Sequence, residues 1–261
     1  MSFNKIPSKS FLILLLPFIL ASCGGDYTWG WHVIDPTKSS GQSNIEFLIG
    51  GFQNTLSISL VALSISVSIG LLVSIPGISN NKYLKAFNVT YVTIIRSIPV
   101  LVMILWIYYG LPIVLDLNLS IFASGVLALA ICDSPFQAEI FRAGIQSIEK
   151  GQHEAAESMG LKYFQKMRFI ILPQAIRRII PPLGNQFVYM LKMSSLISVV
   201  GYSDLTRRAS ELVVTEYRPL EIYSFLILEY LALILVVTYL IQKIENRLKA
   251  NEKIQNPSSK L

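Results

Sequence analysis

Ionisable side chains inside apolar runs are the residues here with the most chemistry to offer. Asp133, Glu139, Lys192 and Glu229 all lie inside stretches otherwise rich in Leu, Ile and Val, with Arg96 and Arg142 near them. A charge in such a run is costly, so each is a candidate for handling a polar ligand. Acidic positions can receive an ammonium or guanidinium group, and Lys192 or a helix end can receive a carboxylate. Asn185 and Ser195 lie near Lys192 and could add hydrogen bonds. The competing reading is mutual pairing, with Lys192 on Asp133 or Glu139 on Arg142 three residues later. Arg96 suits a structural role, with its head carried toward the membrane surface. His32 and His153 are isolated, and Cys23 and Cys132 have no paired spacing, so neither a metal site nor a disulfide framework is indicated.

The elements that must hold these residues follow from composition. Of 261 residues, 52% are hydrophobic and 15% charged, with a mean hydropathy of +0.54. A soluble domain carries about 25% charged residues, so a soluble enzyme and a disordered chain are both excluded. A net charge of +6 is too small, and too closely tied to the flanks of apolar runs, for nucleic-acid binding. Five segments approach the length of about 20 apolar residues that a span needs: 54–76, 88–110, 119–141, 179–201 and 222–242. None alternates like a barrel strand, so the fold class is an all-α integral membrane protein with five helices.

Orientation follows from the cations. If the first span runs inward, Lys82, Lys85, Arg142, Lys150, Lys162, Lys166, Arg168, Arg177, Arg178, Lys243, Arg247, Lys249, Lys253 and Lys260 fall inside. Only Lys38, Arg207, Arg208 and Arg218 fall outside, a bias that places the C-terminus in the cytoplasm. Residues 202–220 then form a mixed-charge outer stretch, either a surface helix or a partly re-entrant one.

The N-terminus has Lys5 and Lys9, the apolar run Phe11 to Leu20, and then Leu20-Ala21-Ser22-Cys23. Residues 1–23 have the form of a secretory leader. Their end resembles a lipobox, which would leave Cys23 as a lipid-bearing residue; an uncleaved extra helix is the alternative. Residues 24–47 would then be a periplasmic segment and 244–261 a cytoplasmic tail.

The largest inner segment, about 142–178, is patterned as two short helices. Good helix formers run from Gln152 to Met159, Gly160 suits a left-handed stop, Leu161 to Leu172 resumes an apolar and basic helix, and Pro173 restarts the chain. Within it Glu154-Ala155-Ala156, three residues, Gly160, nine residues, Ile170, one residue and Leu172-Pro173 resemble the E-A-A loop of bacterial ABC importer permeases. Glu139-Ile140-Phe141-Arg142, Pro182-Leu183-Gly184-Asn185 and Leu191-Lys192 with Ser195-Leu196 resemble the polar amino-acid (histidine, glutamine and arginine) branch, and Arg96-Ser97-Ile98-Pro99 resembles its R-G-T-P element. The resemblance covers about residues 48–243. Met103, Met193 and Pro135-Phe136 depart from the branch's usual residues, which leaves the substrate open.

The resemblance implies a type I (MetI-like) transmembrane domain in the bacterial inner membrane that moves a polar amino acid inward, with cationic amino acids among the candidates. Glu154, Ala155, Ala156, Gly160, Leu161, Lys162, Phe164 and Arg168 would meet a cytoplasmic ABC ATPase dimer. ATP and Mg would sit on that partner, with no cofactor on this chain, because no G-x-x-x-x-G-K-[ST] loop occurs in it. A second permease copy or paralogue, a periplasmic or lipid-anchored substrate-binding protein and membrane lipid complete the implied partners. Asp133, Glu139, Asn185, Lys192, Ser195 and Glu229 are the candidates for the substrate path. From another class, an ion- or proton-coupled secondary transporter would also explain buried charges, but it needs no such loop.

The leader generates the first prediction. Intact-mass measurement of the purified chain is expected to show a species beginning at Cys23 and carrying acyl chains. A chain beginning at residue 1 or 2 with a free Cys23 thiol would refute this expectation.

Overall fold

The computed structural model describes residues 27–255, with side chains to 247; the leader and Cys23 lie outside the described residues. Helix α1, Ser39–Ile49, runs on through Gly50 into α2, Gly51–Ile78, as one 40-residue rod. On α2, Thr55, Ser59, Ala62, Ser66, Gly70 and Ser74 are buried, while Leu60, Val61, Leu72 and Ile75 face outward. This pattern is the inverse of a soluble helix. Lipid accepts the large apolar face, and the small face allows helices to approach closely.

That face packs along α5, Ile121–Gln146. A Cβ on Gly70 would collide with Gln137 Cβ and lie 2.9 Å from the Ala138 nitrogen. Pro135 lies inside α5 and leaves the Ile131 carbonyl without its helical donor. The Ser134 hydroxyl donates to that carbonyl at 2.9 Å, and its oxygen also meets the Tyr91 hydroxyl at 2.7 Å.

The second expected span is broken. Helix α3, Lys82–Arg96, and α4, Val100–Leu115, meet at 90° across Ser97-Ile98-Pro99. Pro99 has no N–H to continue α3, and it disfavours the helical region for Ile98. Two other prolines are absorbed by π turns instead. Leu111 and Leu172 each donate to the carbonyl five residues back, immediately before Pro112 and Pro173. The expectation that Pro173 restarts the chain is therefore corrected. After α6, Lys150–Ser158, the short helix α7, Tyr163–Lys166, passes through a π turn into α8, Leu172–Met193, without interruption.

The expected spans differ in length and apolarity. Ser39–Ile78, Ile121–Gln146 and Pro219–Arg247 are long and apolar enough to cross a membrane, and the bent α3–α4 pair makes a fourth if taken as one span. Helix α8 falls outside that set. It carries Arg177, Arg178 and Lys192 and ends at Met193, where a 3-10 turn, Ser194–Val200, leads to Gly201 at φ 88°.

Residues 202–220 contain a short helix, α9, Leu205–Glu216, whose N-terminal cap is Asp204 accepting from the Arg207 amide at 2.8 Å. It packs against α1 and the start of α10, Pro219–Gln255, through Val33, Leu48, Ala209, Leu212 and Ile222. Glu221 holds the preceding segment here, accepting from Tyr27 Oη and the Gly30 amide at 2.5 Å each.

The loop between α5 and α8 has a defined shape. Gly160 takes φ 73°, in the left-handed region, and Leu161 donates to the Ala156 carbonyl at 3.2 Å, which closes α6. Glu157 meets the buried Lys166 at 2.5 Å and ties α6 to α7. This hydrogen bond and the ammonium charge hold the Glu157 carboxyl below its ordinary value of 4.5.

Two outcomes follow. Gly70→Leu is expected to cost about 1–3 kcal/mol by overpacking and to lower the thermal unfolding midpoint of the detergent-purified chain, whereas Leu72→Ala on the outward face leaves it unchanged; equal midpoints for the two would contradict the packing. For Glu157 the folded value is depressed, so its contribution is complete above pH 4.5 and is lost as pH falls through the lower folded value. Glu157→Gln should speed hydrogen exchange at Gly160 and Leu161 at neutral pH, with the difference from the unmodified chain shrinking in acid.

Candidate functional site

Asp133 is buried on the face of α5 that meets α2 and α8. Its carboxylate accepts from Ser66 Oγ at 2.5 Å, from Gln137 Nε2 at 2.7 Å and from Gln186 Nε2. Three helices thus contribute to one buried anion, and every donor is neutral. Lys192 is not among them: it is exposed, and its carbonyl accepts from Ser195 Oγ at 2.7 Å. The Lys192–Asp133 pairing weighed from sequence does not form.

The Glu139–Arg142 pairing does not form either. Glu139 meets Arg96 at 2.6 Å, and Arg142 donates to Gln146 at 3.0 Å. Arg96 reaches across because α3 ends there, and its guanidinium lies 4.5 Å from the centre of the Phe136 ring. Both side chains of the ion pair are about 40% exposed.

This pair stands at one end of an open groove of about 630 Å³ between α5 and α8, lined by Phe136, Glu139, Ser147, Arg178, Asn185 and Gln186. A small recess of about 20 Å³ adjoins it at Phe136 and is bounded by Asp133, Cys132, Tyr189 and Met193. The structure therefore brings Asp133, Glu139 and Asn185 into one neighbourhood. Lys192 and Ser195 lie further along the same helix direction and line neither hollow. Glu229 is buried on α10 with both carboxyl oxygens unpartnered among the described residues, and it too lines neither.

Sequence reasoning missed Ser66, Gln137, Gln186, Phe136 and Arg178. Gln137 was recoverable as the i+4 neighbour of Asp133 on a helix, whereas Ser66 carried no signal, being one of several serines on an apolar helix.

The second cluster is the loop. Ala156 is buried, while Glu154, Ala155, Lys162, Phe164 and Arg168 face outward and Leu161 is half-buried. The loop's ion pair belongs to Glu157 and not to Glu154, whose carbonyl accepts from Ser158 Oγ at 2.9 Å. Met159, Tyr163, Phe164 and Phe169 are each more than 60% exposed, so an apolar knob projects beyond the bundle. Its base is rigid: Ile148, Ile171, Ala175 and Ile179 form a core, Gln174 donates to Gln152 at 3.1 Å, and Arg178 donates to the Ser147 carbonyl.

Comparison with known proteins agrees with this arrangement. The family model for the inner membrane component of binding-protein-dependent transport systems matches residues 66–250. A probable glutamine ABC transporter permease of Bacillus subtilis (strain 168) is 41% identical over 206 residues, covering 79% of this chain and 95% of the relative. The glutamine transport system permease of Escherichia coli (strain K12) is 35% identical, covering 78% and 94%, and the arginine transport system permease of Bacillus subtilis (strain 168) is 32% identical, covering 80% and 95%. Among solved structures, an amino acid ABC transporter with histidines superposes with a TM-score of 0.76 at 36% identity, over 85% of this chain and 100% of the other. The methionine ABC transporter MetNI shares the fold, with a TM-score of 0.70 at 19% identity over 79% of this chain and 98% of that one. A helical bundle with a rigidly based, projecting loop and a polar groove, matched along most of its length by these permeases, belongs to the inner-membrane component family of binding-protein-dependent transport systems: the chain is a permease subunit of an amino-acid ABC importer.

Proposed function

We propose that the groove between α5 and α8 is this chain's share of the path for a neutral polar amino acid of the glutamine type. The observation that carries this reading is the occupation of both acidic groups near the groove. Asp133 is filled by two amides and a hydroxyl, and Glu139 is matched by Arg96. A guanidinium or lysine ammonium entering here would compete with these donors and with Arg96 for the carboxylate oxygens. A zwitterion suits the exposed Arg96–Glu139 pair, which offers one charge of each sign to the backbone carboxylate and ammonium. Asn185, exposed on the groove wall, offers a donor and an acceptor to a side-chain amide. The glutamine permeases among the relatives support the same choice, and the arginine permease supports the alternative.

The loop at 142–178 is the place for the cytoplasmic ATPase dimer, where ATP and Mg are bound by the partner. Its projecting Phe164 and Tyr163, flanked by Lys162 and Arg168, suit a partner's groove, and Gly160 fixes the knob's angle. Movement of the ATPases would carry the bundle between inward- and outward-facing states. The cation bias supports a cytoplasmic side for this loop and the C-terminus, with α9 and residues 27–49 on the side of the substrate-binding protein. A second permease copy or paralogue closes the path.

The test uses the assembled permease–ATPase complex without binding protein. Labelled glutamine is expected to bind and to resist displacement by equimolar arginine, and Asn185→Ala is expected to weaken binding about tenfold, the worth of one hydrogen bond to a polar ligand. Efficient displacement by arginine would overturn the neutral assignment. In the complete complex Gly160→Val, strained at φ 73°, should insert normally yet lose ATP-driven uptake; unchanged uptake would remove the loop from coupling.

A further inference from the structure

A second polar hollow shares Glu139 with the groove but is otherwise lined by different residues, where the end of α2, the flank of α3 and the last turns of α5 converge. It is a cleft of about 260 Å³ bordered by Lys85, Asn88, Val89, Thr93, Glu139 and Arg142. Its floor is fixed. Gly77 of α2 has no Cβ, which would lie 2.9 Å from Asn88 Cγ, so α3 approaches closely, and the buried Asn88 donates to the Val73 carbonyl at 2.7 Å.

The charge balance within the cleft is positive. Glu139 is neutralised by Arg96 at 2.6 Å, which leaves Lys85 and Arg142. Lys85 has no ion-pair partner among the described residues, and Arg142 commits one N–H group to Gln146, leaving the rest of its planar fork. Two cations facing one pocket from different helices repel each other unless an anion joins them.

The wall of the cleft identifies the kind of anion. Val89 borders it and is 60% exposed, so the cleft opens sideways onto the outside of α3, and Ala86, one turn back on the same side, is exposed too. Lys82 lies 5.3 Å from the Tyr83 ring at the head of that helix, a cation beside an aromatic ring as at a membrane interface. A soluble phosphate would use the cations and leave this apolar strip in contact with nothing complementary. A molecule with a phosphate head and hydrocarbon tails uses both.

We propose that the cleft between α2, α3 and α5 binds the headgroup of an anionic phospholipid, its phosphate held between Lys85 and Arg142 and its acyl chains running past the exposed Val89. By the cation bias this end of the bundle faces the inner leaflet, where basic pockets between transmembrane helices meet acidic headgroups. Lys85 and Arg142 do not line the amino-acid groove, and the site does not depend on which amino acid is carried.

The experiment is native mass spectrometry of the full chain purified in a neutral detergent and titrated with phosphatidylglycerol, with phosphatidylcholine as reference. The intact chain is expected to retain phosphatidylglycerol at least tenfold better. Lys85→Gln should reduce that preference about fivefold, and Lys85→Gln with Arg142→Gln should abolish it, following a loss of about fivefold per cation. Lys85→Arg should keep the preference, which separates charge from general damage. Inorganic phosphate at millimolar concentration should leave lipid retention unchanged. Equal retention by the double variant would overturn the proposal, and so would displacement of lipid by phosphate, which would make the cleft a site for free anions. Neither result bears on glutamine binding in the groove, so the two proposals can fail separately.

Discussion

The close approach of α2 and α5 is the constraint on which the remaining architecture rests. Lipid gives two apolar helices no hydrophobic reason to associate, so contact must come from packing and from polar groups that find each other. The run Ser59, Ala62, Ser66 and Gly70 on α2 meets Ala128, Gln137 and Ala138 on α5, all of them buried. Because these residues are small, Ser66 lies within 2.5 Å of Asp133. A larger side chain at Gly70 would separate the helices at the level where a buried carboxylate most needs its donors, and an unsolvated charge with a missing donor is among the costliest defects a membrane helix can carry.

Proline shapes the other half of the design. Each proline within a helix removes one donor and obstructs one carbonyl, and the chain answers differently each time. At Pro135 a neighbouring serine hydroxyl takes the abandoned carbonyl, so α5 continues across the bundle. At Pro112 and Pro173 a π turn shifts the hydrogen-bond register, so the helices continue there too. At Pro99 the chain turns instead, by 90°. That turn is productive because it leaves Arg96 at a helix end, free to reach Glu139 across the interface and to lie against Phe136. The ion pair at the groove is thus a product of the break in the second span.

What was legible in the sequence was whatever local rules decide. Gly160 reads as a left-handed stop because its neighbours on both sides form helices, and it takes φ 73°; the amphipathic loop likewise needs only local periodicity. Hydropathy could not show the break at Ser97-Ile98-Pro99, because the apolar character continues through it and an averaging window sees one span. Nor could it show where the helix within 179–201 ends, since the apolar average runs on past Met193 into the 3-10 turn. The pairing of Glu139 was misread because three-residue spacing favours Arg142, whereas the actual partner stands 43 positions away on another helix. The Asp133 network failed the same way: Ser66 and Gln186 come from helices whose rotation about their axes is set only by tertiary packing.

The same packing bears on how the loop and the groove are related. Helix α8 begins inside the loop's hydrophobic base, where Ile171, Ala175 and Ile179 are buried, and it carries Gln186 on to the Asp133 network. From Ile171 to Gln186 is fifteen residues, about 22 Å of helix at 1.5 Å per residue. Over that length the π turn and Pro173 lie at the loop end, whereas Pro182, with Pro181 beside it, lies on the groove wall. A force applied at the knob therefore acts on a segment whose stiff central part is bounded by two weakened places, one at each site. Displacement of that segment would change the position of Gln186 relative to Ser66, which is held on a different helix, so the donors around Asp133 do not move as one body. A carboxylate that keeps all three donors in one arrangement and loses one in another gives the bundle two energetically distinct states, the minimum requirement for a mechanical stroke to be reported at the groove.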